Sequence, residues 1–433
     1  MPLWPVRILG PAPTLREINL ACWGLFVALL IIPVYSVVQQ RNQQGQWLQT
    51  FDADFVYFYS MGRLLNEYPA ERLYDYGLQK QICDEVHPLK TGVHAPNPYP
   101  PYVGVFFQMF ARLPYTTAYL LWLSITLLLY LAGLTLITGR FFSREPLKRS
   151  LIFCLALTFY PFAIELMVNG HLSGIGFFAL SLTLYLEDRG RSFLSGLALS
   201  ACLYKPTLLI LILPMLALTG RLQTILGFAA GSGALVLTTT LLKGAAVWQG
   251  YFQMLRFFSR ASSGWNGRSF LRLGKYVDLT SFSSLLPGGR SRPGIAILAA
   301  IGCLVAVKLA KAWWQSRGSR QPAAALVWAV TLTWTLVMNV YVPMYDTVLV
   351  VLSLIVTAGV LKNLQKERLY GWLTLLWLTL YASYWITERV ANATGVQIVT
   401  LLLCGLGTLQ LVALNQVSRL GLPKPATGTS TAT

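Results

Sequence analysis

Long apolar runs most strongly constrain what this chain can fold into. The first, residues 19–38, is about long enough to cross the hydrocarbon core of a bilayer as a helix. Similar runs follow at about 115–138, 150–167, 172–186, 193–218, 222–242, 294–313, 323–341, 346–361, 369–386 and 395–415. Only 12% of the residues are charged, against roughly 25% in an average soluble protein. The pattern predicts an all-α polytopic membrane protein and excludes a soluble globule.

Basic clusters between these runs orient the predicted spans, because cytoplasmic loops are enriched in Lys and Arg. The clusters are Arg140/Arg144/Lys148/Arg149, Arg189/Arg191, Lys308/Lys311/Arg317/Arg320 and Lys362/Lys366/Arg368. All four face the cytoplasm only if residues 193–218 cross the membrane an even number of times. Proline disfavours helix at the preceding residue, so Pro206 favours two half-length helices, 193–203 and 206–218, that turn near Lys205. The alternative is one 26-residue helix, which would place the last two clusters outside.

The predicted architecture therefore has about 12 helical segments, with both termini in the cytoplasm. We expect a single domain over residues 1–425 and a disordered tail at 426–433, where small and polar residues dominate. Two long outer loops, at about 39–114 and 243–293, are the predicted location of the chemistry, because the inner loops are short and merely basic.

The first outer loop opens with two carboxylates, Asp52 and Asp54, surrounded by aromatic residues. Such a stretch is expected at the membrane interface, where tyrosine rings prefer to lie. A carboxylate in a partly apolar cleft there can act as a general base. The alternative is that both acids are ordinary solvated loop residues, since this pattern is short and common.

The second outer loop is strongly basic, and its one acid is Asp278. The basic residues are Lys243, Arg256, Arg260, Arg268, Arg272, Lys275, Arg290 and Arg292. Guanidinium groups bind phosphate bidentately, so the composition indicates an anion site. The alternative is that the crossing count is wrong and the loop is cytoplasmic.

Three ionisable residues lie inside or beside apolar runs: Glu165, Lys205 and Asp346. Charged groups at membrane depth are costly and are usually functional or paired with one another. Neutralisation of Lys205 by Asp346 is an alternative to a functional role for either. The three histidines show no metal-ligand spacing, so no metal site is predicted.

Several short segments, in this order, resemble the polyprenol-phosphate-sugar-dependent glycosyltransferases of the GT-C fold, and glycosyltransferase family 87 in particular. They include Asp54-Phe55-Val56-Tyr57, Leu73-Tyr74-Asp75, Tyr99-Pro100-Pro101, Leu121-Trp122, Asn169-Gly170-His171, Lys205-Pro206 and Asn266-Gly267-Arg268-Ser269. Members of the family usually have glutamine where His171 stands, and glutamine where Gly267 separates Asn266 from Ser269. The resemblance therefore implies a divergent bacterial subfamily.

The resemblance implies a GT-C-like bundle whose first outer loop carries juxtamembrane helices. It also implies transfer of a hexose such as mannose, or of a pentose, from a polyprenyl-phosphate donor to a lipid or glycan acceptor. The reaction would take place at the outer leaflet of the bacterial cytoplasmic membrane, with inversion and without metal or other cofactor. Asp54 or Asp52 would be the base, and Lys205, Arg268 and Arg272 would bind the donor phosphate. The expected substrate-binding residues are Tyr57, Tyr99, Asn169, His171, Asn266, Ser269 and Asp346.

Two other classes compete with this interpretation. A secondary transporter or flippase for an anionic lipid-linked substrate would explain the basic outer surface and the intramembrane Asp346. It predicts two structurally related halves with broken helices at matching positions, whereas this sequence has one such break. A polysaccharide polymerase or ligase would share the basic loop but would not explain the aromatic and acidic stretch after the first span.

Overall fold

The computed structural model describes residues 14–42, 54–86, 96–262, 272–287, 291–317 and 323–420. Several residues singled out in the sequence lie outside this described part: Asp52, Asn266, Arg268, Ser269 and the tail 426–433. The chain divides into two compact units, Met1–Phe178 with Thr238–Phe270 and Ala179–Leu237 with Leu271–Thr433. The chain passes from one unit to the other within helices as well as between them. The prediction of a single domain over 1–425 stays a prediction.

The first unit is built from the helices of the first 178 residues and from a later segment that holds the end of one helix and a second, complete helix. They are α1 (Leu15–Asn42), α2 (Phe55–Glu67), α3 (Tyr76–Val86), α4 (Pro101–Phe107), α5 (Tyr115–Phe141), α6 (Pro146–Leu157), the first turns of α7 (Ser173–Asp188), the end of α10 (Leu222–Lys243) and α11 (Ala246–Ser262). Short 3-10 helices at Ala70–Tyr74 and Phe110–Arg112 and a π turn at Pro161–Leu166 connect them.

The described part of the second unit contains the rest of α7 and α10 and nine further helices. The two that precede α10 in the chain are α8 (Ser192–Ser200) and α9 (Ile212–Leu218). The later ones are α12 (Leu279–Leu285), α13 (Arg292–Gln315), α14 (Ala323–Val337), α15 (Leu349–Asn363), α16 (Glu367–Ser383), α17 (Thr387–Thr394) and α18 (Ile398–Leu420).

The helices confirm an all-α polytopic membrane protein. Twelve of them, α1, α5–α10, α13–α16 and α18, correspond to the twelve predicted segments. Among the described residues, five helical stretches are long and apolar enough to span a membrane: Tyr115–Phe141, Leu222–Lys243, Arg292–Gln315, Met344–Asn363 and Ile398–Val417. In the part of the chain that the structure describes, five further helices lie in the two predicted outer loops, with α2, α3 and α4 in the first loop and α11 and α12 in the second.

The break predicted at Lys205 is present in the second unit. Two 3-10 helices, Ala201–Tyr204 and Pro206–Leu209, flank Lys205, whose own backbone is non-helical with φ −139° and ψ 84°. Arg221, which follows α9, forms a 2.7 Å ion pair with Glu187 near the end of α7. Residues 192–218 therefore begin and end at the same end of this unit, as two half-length helices require.

Three loops and the Lys205 turn meet at one end of the second unit, and the first of these loops belongs to the predicted outer loop 243–293. Val277 N–H donates to Val342 O at 2.9 Å. The side-chain amide of Gln397 donates to Gly274 O at 2.6 Å, and Lys205 pairs with Asp346. Loops 272–287, 338–348 and 384–397 and the Lys205 turn are therefore neighbours within this unit.

Candidate functional site

Asp54 lies directly before helix α2, where the main chain of another segment holds it. The backbone N–H groups of Asp54 and Phe55 donate to Asn169 O at 3.3 and 3.0 Å. The Asp54 side chain forms no capping hydrogen bond with α2, although aspartate is a preferred capping residue. The half-buried carboxylate therefore contributes no cap to the helix that positions it.

Three successive carbonyl groups form what we call the carbonyl cradle: those of Val168, Asn169 and Gly170. Tyr119 Oη donates to the first at 2.5 Å and Trp122 Nε1 donates to the third at 2.7 Å. The middle carbonyl accepts the two N–H groups at the start of α2. One short segment thus fixes α5 and α2 in place, and with α2 it fixes the position of Asp54.

The local sequence explains why these carbonyls point away from a helix. The apolar run predicted over 150–167 ends in the π turn Pro161–Leu166, and Asn169 N–H still donates to Ile164 O at 3.1 Å. Gly170 then adopts φ +74°, a conformation that glycine adopts without steric cost. A Cβ at Gly170 would lie 2.8 Å from the Cβ of Phe55, so the close approach of α2 also requires glycine there.

The structure brings Tyr99 and His171 together beside the cradle. Tyr99 Oη and His171 Nε2 are hydrogen-bonded at 2.8 Å, and His171 Nδ1 and Ser173 Oγ lie 3.2 Å apart. His171 is 1% exposed, whereas Tyr99 is half-buried. The imidazole is therefore a buried support for the Tyr99 phenol, and its role as a direct substrate ligand stays a prediction.

Asn97 connects two of the predicted substrate-binding tyrosines and was not singled out from the sequence. Its side-chain amide donates to Tyr57 O at 3.2 Å, and its side-chain oxygen accepts from Tyr99 N–H at 3.3 Å. Tyr74 Oη donates to Tyr99 O at 2.6 Å. Asparagine followed by proline is a turn signal, but nothing in the sequence indicated which tyrosines this turn would join.

An aromatic wall lies under this group and is centred on Phe58, which is fully buried. The Phe58 ring lies edge-on to Tyr99 at 5.0 Å and to His171 at 5.7 Å, and it stacks on Phe107 at 5.4 Å between ring centroids. Such pairs add to the energy of apolar burial. The wall therefore fixes the Tyr99 and His171 rings against an apolar surface.

Lys205 and Asp346 form an ion pair in the second unit, as one of the two sequence interpretations proposed. Lys205 Nζ contacts Asp346 Oδ2 and lies 5.0 Å from the centroid of the Tyr345 ring. The Asp346 side chain is 0% exposed and that of Lys205 is 16% exposed. A ligand can therefore approach this pair through Lys205, because the carboxylate is enclosed by protein.

Asp278 braces the loop that carries Asp346. Its carboxylate accepts from Ser281 N–H, Ser281 Oγ and Val342 N–H, each at 2.8 Å. Burial raises the pKa of the Asp278 carboxyl above its ordinary value. In the sequence Asp278 stood out only as the acid of a basic loop, so its role in fixing residues 338–348 was missed.

Asn339 provides a second brace between this loop and the broken helix. Its side-chain amide donates to Thr207 O at 2.9 Å, and its main-chain carbonyl accepts from Thr280 Oγ1 at 3.4 Å. Tyr341 follows with φ 56°, which is uncommon for a residue with a side chain. Helix α14 therefore ends at Val337, earlier than the predicted 341, because Asn339 and Tyr341 form the turn that leads to Asp346.

The basic loop contributes one predicted phosphate ligand to the described residues, Arg272. It is exposed and precedes the 3-10 helix Leu273–Lys275. Lys275 lies 3.9 Å from Glu388, so part of the loop's positive charge is offset locally. Within the described ranges no group of three His, Cys, Asp or Glu side chains is placed to hold a metal ion.

Comparison with known protein families gives a match over the middle of the chain. The sequence model described as glycosyltransferase family 87 matches residues 97–339, which is more than half of the chain. No curated protein and no solved structure matches significantly. Tyr99, the carbonyl cradle and Lys205 lie inside the matched range, whereas Asp54 and Asp346 lie outside it.

Proposed function

Because the chain belongs to glycosyltransferase family 87, we propose that it transfers a sugar from a polyprenyl-phosphate donor to a lipid or glycan acceptor in the membrane. The sugar is a hexose such as mannose, or a pentose. We further propose that residues 1–425 act as one catalytic domain.

The position of Asp54 is the single observation that supports the proposed mechanism most. Its main chain is fixed by Asn169 O, while its half-buried carboxylate does not cap α2. In the proposed step, an acceptor hydroxyl attacks the anomeric carbon of the donor and loses its proton to the Asp54 carboxylate. The bond from the anomeric carbon to the phosphate oxygen breaks with inversion. Asp52 is the alternative base and lies outside the described residues.

The leaving group of this reaction is a polyprenyl phosphate, whose negative charge increases as the glycosidic bond breaks. We assign stabilisation of that charge to Lys205, Arg268 and Arg272. Lys205 is already charge-paired with Asp346, so a bound phosphate would share the ammonium with this carboxylate. No metal is needed in this scheme, because cationic side chains supply the positive charge.

The sugar and the acceptor are assigned to the polar groups around the aromatic wall and to the second unit's loops. Tyr57, Tyr99 and Asn169 are half-buried, so each has part of its surface accessible. His171 supports Tyr99 from beneath. Asn266, Ser269 and Asp346 complete the proposed substrate-binding set, of which the first two lie outside the described residues.

The active site is proposed to face the outer leaflet of the bacterial cytoplasmic membrane, with both termini in the cytoplasm. Within the second unit, Arg221 and Glu187 mark the end opposite to Lys205 and Asp346. Arg189, Arg191 and Arg317 lie next to these residues in the chain or contact that end. The positive-inside tendency assigns such an end to the cytoplasm.

The proposal is tested with purified protein in proteoliposomes that contain a polyprenyl phosphate carrying a radiolabelled mannose, glucose or arabinose. Thin-layer chromatography is expected to show label moving to an acceptor lipid or glycan extract, with equal rates in EDTA. Translocation of intact labelled donor without transfer would instead support a flippase. A rate that falls to background in EDTA would contradict the metal-independent scheme.

A further inference from the structure

Glu165 is a buried carboxyl group that the proposed reaction does not use. It lies in the π turn Pro161–Leu166 and is 5% exposed, among fully buried apolar neighbours such as Phe162 and Leu166. Burying a carboxyl group costs free energy unless it is paired or hydrogen-bonded. Glu165 is therefore expected to repay that cost through a specific contact, and π turns are frequent at functional positions.

The contact is with Asn169, one helical turn further along the chain. Asn169 Nδ2 donates to Glu165 Oε2 at 2.8 Å. The two residues are four apart, so both lie on the same face of the turn. The hydrogen bond restrains the Asn169 side chain and, with it, the orientation of the peptide group that follows.

That peptide group contains Asn169 O, which is the middle carbonyl of the cradle. Its oxygen accepts the N–H groups of Asp54 at 3.3 Å and Phe55 at 3.0 Å. Glu165 is thus connected to the start of α2 by one side-chain hydrogen bond and one shared carbonyl. A rotation of the Asn169 peptide would release both N–H groups at once, and the Asp54 carboxylate would lose its fixed position.

We propose that Glu165 is a positioning residue that orients Asn169 and, through its carbonyl, holds Asp54 in place for proton abstraction. The inference rests on the proposed function in taking Asp54 as the base. The hydrogen-bonding role requires an acceptor atom at position 165 and does not require a negative charge. Glutamine, which presents a side-chain oxygen of the same reach, should therefore replace glutamate.

The first test compares Glu165→Leu with Glu165→Gln in the full-length protein, using steady-state kinetics with the labelled donor. We expect Glu165→Leu to lower kcat by about ten- to a hundredfold, as misplacement of a catalytic group by about 1 Å does. The donor KM should change less than kcat, because the phosphate ligands are untouched. Glu165→Gln should recover most of kcat, and a Gln variant as slow as the Leu variant would overturn the proposal.

The second test does not depend on catalysis. Hydrogen–deuterium exchange of a peptide that begins several residues before Asp54 and ends near residue 60 should be faster in Glu165→Leu and unchanged in Glu165→Gln. Glu187→Gln is the matched control, since Glu187 is a mostly buried carboxylate that pairs with Arg221 and Thr224 instead. Unchanged exchange in a folded Glu165→Leu protein would rule out the positioning role even if activity fell.

A double-mutant cycle with Asn169→Ala completes the design. If Glu165 acts through Asn169, the double variant should match the more damaged single variant in two quantities. These are the exchange rate of the peptide and kcat. Additive effects would contradict the proposed route. If Asp54→Asn remains active while these exchange results hold, the base assignment fails but the positioning by Glu165 stands.

Discussion

Two regions of the molecule, one in each unit, hold their key charged residues in different ways. In the first unit, main-chain groups fix Asp54: the carbonyl cradle accepts the first N–H groups of α2, and the carboxylate does not cap that helix. In the second unit, side chains fix Lys205: its ammonium pairs with the fully buried Asp346, whose loop is braced by Asp278.

Because of this difference, we expect the effects on activity and on stability to be separable at Asp54 but not at Lys205. Asparagine keeps the size of the Asp54 side chain and performs about as well as aspartate before a helix, so this change should cost the fold little. Removing one partner of the Lys205–Asp346 ion pair should cost more, because it leaves the other charge buried and unpaired. Substitutions at Asp54 and Lys205 should therefore both stop transfer, but only the second should also destabilise the protein.

Asp54→Asn is expected to have the largest effect on activity and almost none on stability. The amide keeps the size of the side chain but cannot accept a proton, and general bases contribute about a hundred- to ten-thousandfold. Initial rates of sugar transfer and the thermal unfolding midpoint should be measured on the same preparation. Asp52→Asn should have a smaller effect.

Asp75→Asn provides the matched control for Asp54→Asn, because the two aspartates differ in how they are used. Asp75 accepts from Leu78 N–H at 3.1 Å and pairs with Arg72 at 2.8 Å, and these contacts lower its pKa. Asparagine caps helices about as well as aspartate, so transfer should be unaffected. Full activity in both Asp54→Asn and Asp52→Asn would show that neither aspartate is the general base, and the contrast between Asp54 and Lys205 would no longer concern catalysis.

Lys205→Ala should lower transfer by about a hundred- to a thousandfold, as loss of one positioned electrostatic group does elsewhere. It should also destabilise the protein by on the order of 3 kcal/mol, because Asp346 is left without its cation. The double variant Lys205→Met/Asp346→Leu should recover stability without recovering transfer. Denaturant unfolding in detergent and donor kinetics would measure the two effects separately.

Lys275→Ala is the control for this second prediction. Lys275 lies 3.9 Å from Glu388 and both side chains are about one third exposed. Exposed ion pairs contribute about 0–1 kcal/mol, so stability should hardly change. A Lys205→Ala protein as stable as wild type would show that the second unit, like the first, does not depend on its charged side chain.

The apolar runs and basic clusters allowed much of the fold to be predicted. The sequence predicted the twelve helical segments to which α1, α5–α10, α13–α16 and α18 correspond. The break at Lys205 was predicted from Pro206 and from the side of the membrane on which basic loops lie. These features could be predicted because membrane insertion acts on local hydropathy and charge. The ends of runs were less accurate, since Asn339 and the π turn at Pro161–Leu166 shorten helices for reasons of tertiary contact.

The candidate site could be predicted only where a residue type carries its own chemistry. Acids, a lysine and tyrosines were singled out as candidates, whereas the carbonyl cradle was not, because main-chain acceptors have no sequence signature. Asn97 and Asp278 were likewise missed as connectors, since their roles depend on partners 40 and 64 residues away in the chain. The spacing of apolar residues along the sequence carries no information about long-range polar contacts of this kind.

Gly170→Ala would sharpen the comparison by disturbing the cradle without touching a charge. The new Cβ would meet Phe55 Cβ at 2.8 Å and would force a residue with a side chain into φ +74°. Strain of this kind costs about 1–3 kcal/mol. Displacement of α2 should lower kcat by about ten- to a hundredfold with the donor KM unchanged.

Gly190→Ala is the control that isolates the contact with Phe55. Gly190 has φ +69°, close to that of Gly170, but a Cβ there would meet nothing within 4 Å. Both variants should therefore lose similar stability from the backbone, and only Gly170→Ala should lose activity. Equal rates in the two variants would mean that the position of Asp54 does not depend on how closely α2 approaches the cradle.

His171→Gln should have the smallest effect and tests whether the aromatic wall needs a titrating group. Glutamine, the residue that the family resemblance implies at this position, can still hydrogen-bond Tyr99 Oη, now 2.8 Å from the imidazole. Losing the second contact, to Ser173, costs about 0.5–1.5 kcal/mol, or roughly a two- to tenfold change in rate. His171→Leu, which removes both contacts, should be clearly slower at every pH. A flat ratio of His171→Gln to wild-type rates from acid to alkaline pH would show that His171 acts through its hydrogen bond. A ratio that changes with pH would instead indicate that the imidazole takes part in proton transfer. The first unit would then contain a second ionisable residue, His171, that is held by side-chain hydrogen bonds and not by its main chain.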